Sequence, residues 1–64
     1  MPPKIRELAR DLERAGFINR GGKDSHRNYE HPRAGRITLS GQPGDDAKPY
    51  PVREVTKKLQ ESLS

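Results

Sequence analysis

A chain of 64 residues is long enough for one domain, and we expect residues 1–64 to form that single domain. The sequence has no cysteine, which excludes disulfide bonds and thiolate metal sites. Its 13 basic and 9 acidic residues give a net charge of +4, which favours a polyanionic partner such as nucleic acid. A charge of this size is also common as solubilising surface on small proteins.

The apolar residues make up 28% of the sequence, a low fraction that raises disorder as an alternative. They recur periodically, however, and that pattern favours a folded domain. No segment approaches the roughly 18 apolar residues of a membrane span, and the first residues lack the apolar segment of a signal peptide. We therefore expect a cytoplasmic protein with no membrane partner.

The first predicted element is an amphipathic helix. Its apolar residues recur at the spacing of one helical face and are Ile5, Leu8, Ala9, Leu12 and Ala15. Pro3 is compatible with the first turn, and Gly16 stands where a glycine commonly follows the end of a helix.

Three short strands are predicted next, over residues 17–20, 26–31 and 36–40. Gly21 and Gly22 suit the first connection, because glycine adopts positive φ at little cost. In the second strand a period of two places Tyr29 on the face opposite His26. Because Tyr29 is the sizeable apolar side chain of that strand, we expect its face to be the core side and His26 to point outward.

The remaining sequence predicts a Gly- and Pro-rich loop over 41–50 and a second helix that begins with Pro51 at its first position. The apolar stripe of that helix is predicted to be Val52, Val55, Leu59 and Leu63. The order α-β-β-β-α indicates an α+β fold in which two helices cover one face of a three-stranded antiparallel sheet. The other face is expected to be polar and basic.

His26 is the strongest candidate for a catalytic residue. Histidine titrates near neutrality and can therefore accept and donate a proton at cellular pH. RNA carries its own nucleophile, the 2′-hydroxyl, so its cleavage needs a base, an acid and a group that stabilises charge. Neither a metal nor a small-molecule cofactor is required, and we expect none.

His31 competes for this role, but five residues separate it from His26, so the two face opposite ways in a regular strand. We expect His31 to be structural. A zinc site is not favoured, because the histidines lack a common face and cysteine is absent. Asp45 and Asp46 lie in a Gly/Pro loop and are expected to be a solvated turn rather than a hard-metal site.

Four basic residues around His26 are candidate phosphate contacts: Arg20, Lys23, Arg27 and Arg36. The chain has three aromatic residues, Phe17, Tyr29 and Tyr50, which is too few for a base-stacking platform. The sequence therefore favours recognition of RNA by shape and phosphate contacts.

The sequence resembles the HicA toxins of bacterial type II toxin–antitoxin systems over nearly its whole length. The resemblance rests on the helix end Leu12-Glu13-Arg14-Ala15-Gly16-Phe17 and on the motif Gly21-Gly22-Lys23-x-Ser25-His26-Arg27-Asn28-Tyr29-x-His31-Pro32. The Thr38-Leu39 strand, the loop Pro43-Gly44-Asp45-Asp46 and a closing amphipathic helix complete it.

This resemblance implies a fold like that of double-stranded-RNA-binding domains and metal-independent, ribosome-independent cleavage of mRNA, which inhibits translation and growth. It also implies a HicB antitoxin that covers the active site. The histidine of the Gly-Ser-His motif is catalytic in that family, and His26 is its match. Ser25 of the same motif is assigned to RNA binding with the four basic residues.

The sequence departs from the family at one motif position, where Asp24 replaces the glycine before Ser-His. A carboxylate two residues from His26 repels phosphate, so activity could be reduced or lost. Two alternatives therefore stand beside the ribonuclease: a non-catalytic RNA-binding module on the same fold, and an interaction protein whose exposed sheet face docks a partner.

Overall fold

The computed structural model describes residues 2–23 and 26–63. Its elements follow the order α-β-β-β-α and are α1 (Ile5–Arg14), β1 (Ile18–Asn19), β2 (His26–His31), β3 (Gly35–Ser40) and α2 (Pro49–Ser62). The three strands form one antiparallel sheet in the order β1-β2-β3. The predicted α+β fold is therefore confirmed.

Helix α1 buries its apolar stripe, from Ile5 to Leu12, and ends at Arg14, with Ala15 as C-cap and the glycine that the sequence indicated directly after it. Gly16 has φ +99°, a conformation that side chains with a Cβ rarely adopt. The Phe17 N–H donates to the Leu12 carbonyl at 3.0 Å and the Gly16 N–H donates to the Glu13 carbonyl at 3.1 Å. These two bonds form a Schellman motif, which satisfies carbonyls that the helix end would leave unpaired.

The start of α1 differs slightly from the prediction, because the N-cap is Lys4 and Pro3 precedes the helix. The loop before α2 covers this end. The Ile5 N–H donates to the Asp45 carbonyl at 2.9 Å, and the Lys4 ammonium pairs with the Asp46 carboxylate. The two aspartates thus belong to a turn that also satisfies the first turn of α1.

Strands β2 and β3 pair along their full lengths, with His26 opposite Ser40 and His31 opposite Gly35. Tyr29, Ile37 and Leu39 are buried beneath the helices, as the period of two predicted. Strand β1 is shorter than predicted and pairs only Ile18 and Asn19 with β2.

Helix α2 begins at Pro49, two residues earlier than predicted, with Lys48 as its N-cap. Proline at the first helical position loses no hydrogen bond there. Val55 is buried, and Val52 and Leu59 pack against the core, as expected. The inclusion of Leu63 in the stripe was wrong: it follows the last helical residue and is 83% exposed.

Both helices pack on the same face of the sheet and leave the other face uncovered. The core between them consists of Ile5, Leu8, Ala9, Leu12, Phe17, Tyr29, Ala34, Ile37, Leu39, Ala47 and Val55. Within residues 2–23 and 26–63, neither helix is long and apolar enough to cross a membrane.

Candidate functional site

The uncovered side of the sheet, called here the open face, carries the alternate residues that the core does not use. It is formed by His26, Asn28, Glu30, Arg36, Thr38 and Ser40, with Ile18 from β1. All of the β2 and β3 members have polar side chains, so this face can contact a polar ligand without losing core packing.

His26 is the first residue of β2, and its side chain is exposed on the open face. Its N–H donates to the Lys23 carbonyl at 2.9 Å, which fixes the start of the strand. In the part of the chain that the structure describes, the imidazole makes no hydrogen bond or ion pair, so both ring nitrogens are accessible to a ligand.

Gly22 holds the loop before β2 closely against the backbone of His26. A Cβ at this position would overlap the His26 carbonyl oxygen and lie 2.9 Å from its carbonyl carbon. The Asn28 N–H donates to the Gly21 carbonyl at 2.9 Å and continues the contact between loop and strand. The pair of glycines therefore does more than turn the chain, since Gly22 permits the close approach that positions His26.

His31 is half-buried, and its ring is held by contacts with neighbouring elements. Its Nε2 lies 3.1 Å from the Ala15 carbonyl oxygen, and its Nδ1 accepts the N–H groups of Arg33 at 3.0 Å and Ala34 at 3.3 Å. Its ring also packs on Phe17, with ring centroids 4.8 Å apart. Both ring nitrogens are thus occupied, and the structural role predicted for His31 agrees with these contacts.

Glu30 links two of the predicted phosphate contacts in the middle of the open face. Its carboxylate accepts from Nε of Arg36 at 2.9 Å and from Nε of Arg20 at 3.1 Å. The hydrogen bond from Arg36, followed by the one from Arg20, holds the pKa of the Glu30 carboxyl below its ordinary value. The two guanidinium groups therefore share one internal counter-charge.

Asn28 and Thr38 lie between this network and His26. The Thr38 hydroxyl donates to the Asn28 side-chain oxygen at 2.8 Å across the two strands. With Arg20 and Arg36 they line a shallow recess of about 580 Å³. Asn28, Thr38 and Glu30 were not among the predicted site residues, although the period of two places Asn28 and Glu30 on the same face of β2 as His26.

The structure does not bring all of the predicted site residues together. Arg27 lies on the helix side of the sheet, opposite His26, whereas Arg20 and Arg36 lie on the open face. Lys23 is exposed in the loop before β2. Ser25 and Asp24 lie outside the described residues.

Metal ligands are sparse on the described surface. Among residues 2–23 and 26–63, no three histidine, aspartate or glutamate side chains are grouped closely enough to hold a metal ion. The described side chains of the open face offer an imidazole, hydroxyl and amide groups, and paired charges.

Comparison with known proteins relates this arrangement to one family. A family model described as the HicA toxin of bacterial toxin–antitoxin systems matches residues 5–60. The matched range begins at the first residue of α1 and ends within α2, so it contains the whole sheet and both histidines. No curated protein matches the chain.

Proposed function

Because the chain belongs to the HicA family, the toxins of bacterial toxin–antitoxin systems, we propose that it is an endoribonuclease that cleaves mRNA and thereby inhibits translation and growth. His26 is the proposed catalytic residue. The observation that carries this assignment is the contrast between the two histidines: the His26 imidazole is exposed on the open face, whereas contacts occupy both nitrogens of His31.

In the proposed reaction His26 acts as the general base. It removes the proton of a ribose 2′-hydroxyl, whose oxygen attacks the adjacent phosphorus. The new P–O2′ bond forms as the P–O5′ bond breaks, and water supplies a proton to the leaving 5′-oxygen. The products carry a 2′,3′-cyclic phosphate and a 5′-hydroxyl. Because RNA supplies the nucleophile, the reaction proceeds without a metal.

The open face is proposed to hold the RNA by its phosphates. Lys23, close in the chain to His26, contacts the phosphate that reacts and stabilises the charge developing on it. Arg20 and Arg36 contact phosphates farther along the sheet, where an RNA phosphate competes with Glu30 for their guanidinium groups. Ser25 is proposed as an RNA contact from the sequence motif alone.

Membership of the family also implies a HicB antitoxin as partner. We propose that this antitoxin covers the open face and so blocks access to His26. The proposal is supported by the exposure of the polar groups of β2 and β3, which the helices leave uncovered. An antitoxin bound there would also stabilise the small domain by mass action.

The purified chain and its His26→Ala variant, incubated with an mRNA in the presence of EDTA, test the proposed reaction. We expect cleavage by the unmodified chain, products ending in a 2′,3′-cyclic phosphate, and no cleavage by the variant. RNA binding by both proteins without cleavage would contradict the proposal and would support the non-catalytic RNA-binding module. Absence of RNA binding would support the interaction protein.

A further inference from the structure

Four arginines line a groove on the helix side of the molecule, away from the open face. Arg6, Arg10 and Arg14 recur every four residues on α1 and therefore form one stripe along the helix, and Arg27 of β2 joins them. This groove, called here the arginine groove, has a volume of about 540 Å³.

The arginine groove carries positive charge that side chains of its own lining only partly offset. Within residues 2–23 and 26–63, none of its four guanidinium groups makes an ion pair or a side-chain hydrogen bond, and Glu13 is the one acidic residue in its lining. Four positive charges and one negative charge leave +3, against a net +4 for the chain. Arg20 and Arg36 on the open face, by contrast, share Glu30.

The stripe places like charges four residues apart on α1, and each such pair repels slightly. A bound polyanion removes that repulsion. Guanidinium groups are also suited to phosphate, which they contact with two parallel N–H donors.

We propose that the arginine groove binds the phosphate backbone of the RNA segment that flanks the bond cleaved at His26. This inference rests on the proposed function, and it extends the proposed RNA-binding surface from the open face to the helix side of the sheet. The arginines of α1 follow one another by about 6 Å along the helix axis, since each residue rises about 1.5 Å. A regular row of this kind fits a chain of repeated monoanions better than it fits the irregular carboxylates of an acidic protein.

The position of Arg27 connects the groove to the proposed site. Arg27 follows His26 directly in β2, and the two side chains project from opposite faces of the strand. An RNA strand that passes around the start of β2 therefore reaches the arginine groove immediately after leaving His26. This path makes Arg27 a contact for the flanking RNA rather than for the reacting phosphate.

The test compares two charge-matched double variants, each in the His26→Ala background so that RNA is bound without being cut. Arg6→Gln with Arg10→Gln removes two charges from the groove. Arg53→Gln with Lys57→Gln removes two exposed charges at the same spacing from α2. Binding of a single-stranded RNA oligonucleotide is measured over a range of salt concentrations, and urea unfolding checks that all variants are folded.

The groove variant is expected to bind more weakly than the control and to lower the slope of log K against log[salt] by about 1.4, since each phosphate contact to a single strand contributes about 0.7. Equal affinities and slopes for the two double variants would overturn the inference. So would unchanged RNA binding with weakened antitoxin binding, which would assign the groove to an acidic protein surface.

Cleavage by the chain with His26 intact separates this inference from the proposed function. If that chain cleaves RNA while both double variants bind RNA with equal affinity, the ribonuclease proposal is supported and the groove contact is contradicted. If that chain does not cleave RNA while the groove variant alone binds RNA weakly, the ribonuclease proposal is contradicted and the groove is supported as an RNA contact.

Discussion

The Nε2 atom of His31 lies 3.1 Å from the carbonyl oxygen of Ala15 and ties β2 to the end of α1. The Nδ1 atom of the same ring accepts two backbone N–H groups from the turn before β3, so the ring proton resides on Nε2 and is donated to Ala15. This arrangement makes one of the two histidines a structural crosslink. His26 is therefore the histidine whose ring is free to contact a substrate.

Replacing His31 with alanine is expected to destabilise the fold. The change leaves backbone groups of Ala15 and of the turn unpaired and removes a ring packed on Phe17, which we expect to cost about 1–3 kcal/mol. Urea unfolding measures the loss. His26→Ala is the matched control and should change the unfolding free energy by less than about 0.5 kcal/mol, as exposed positions do. Equal losses in the two variants would contradict the separate roles.

Replacing Gly22 with alanine is expected to displace the loop from β2, because the new methyl group overlaps the carbonyl of His26. We expect a loss of about 1–3 kcal/mol in stability, typical of overpacking, together with weaker RNA cleavage. Gly44→Ala is the control, since a Cβ there has its nearest neighbour 4.0 Å away, at the end of the Arg6 side chain. Full cleavage by Gly22→Ala would show that the close approach does not position His26.

Glu30→Gln tests the network on the open face through its pH dependence. The pKa of the Glu30 carboxyl is lowered in the folded protein by Arg36 and then by Arg20, so its ionised form stabilises the fold. That contribution is complete above the unfolded-state pKa, near 4.5, and is lost as the pH falls through the lower folded-state pKa. The free energies of unfolding of the unmodified chain and of Glu30→Gln should therefore differ most near neutral pH and become similar in acid.

The same variant releases Arg20 and Arg36 from their shared carboxylate, and it should bind RNA more tightly at low salt. Glu54→Gln, which makes the same charge change on α2, is the control. An equal increase in RNA affinity in both variants would attribute the effect to net charge rather than to the release of the two arginines.

Asp24 is the position at which the sequence departs from the family motif, and its side chain brings a negative charge close in sequence to His26. We expect Asp24→Asn to raise the rate of RNA cleavage because it removes repulsion of the phosphate. Asp24→Gly should raise it further if the backbone also requires glycine. Cleavage rates under single-turnover conditions measure both effects, and a slower rate in Asp24→Asn would show that the carboxylate takes part in the reaction.

The apolar periodicity of the sequence predicted the core, because residues that share one face of a helix or strand are buried together. The stripe of α1, the inward Tyr29 and the outward His26 all follow from repeats of 3.6 or two residues. The end of α1 was also predictable, since Gly16 adopts the positive φ that this position favours. The start of α2 was not, because Pro49 and Pro51 are both compatible with a first turn and the sequence does not distinguish them.

The distribution of charge was harder to predict than the core. The sequence places four candidate phosphate contacts around His26, but proximity along the chain does not specify the face on which each side chain lies. Arg27 lies behind the sheet, and the carboxylate of Glu30 accepts from Arg20 and Arg36 across strand pairs. Such contacts depend on register and pairing, which one strand's sequence does not specify.

The measurement that tests the central claim most directly is expression of the chain and of its His26→Ala variant in bacterial cells without antitoxin, with growth and mRNA integrity followed together. We predict growth arrest with mRNA decay for the unmodified chain, and normal growth with intact mRNA for the variant at equal protein level. Arrest and decay that persist in His26→Ala would contradict the assignment of His26 as the catalytic residue. Intact mRNA in cells that contain the folded, unmodified chain would contradict the ribonuclease itself.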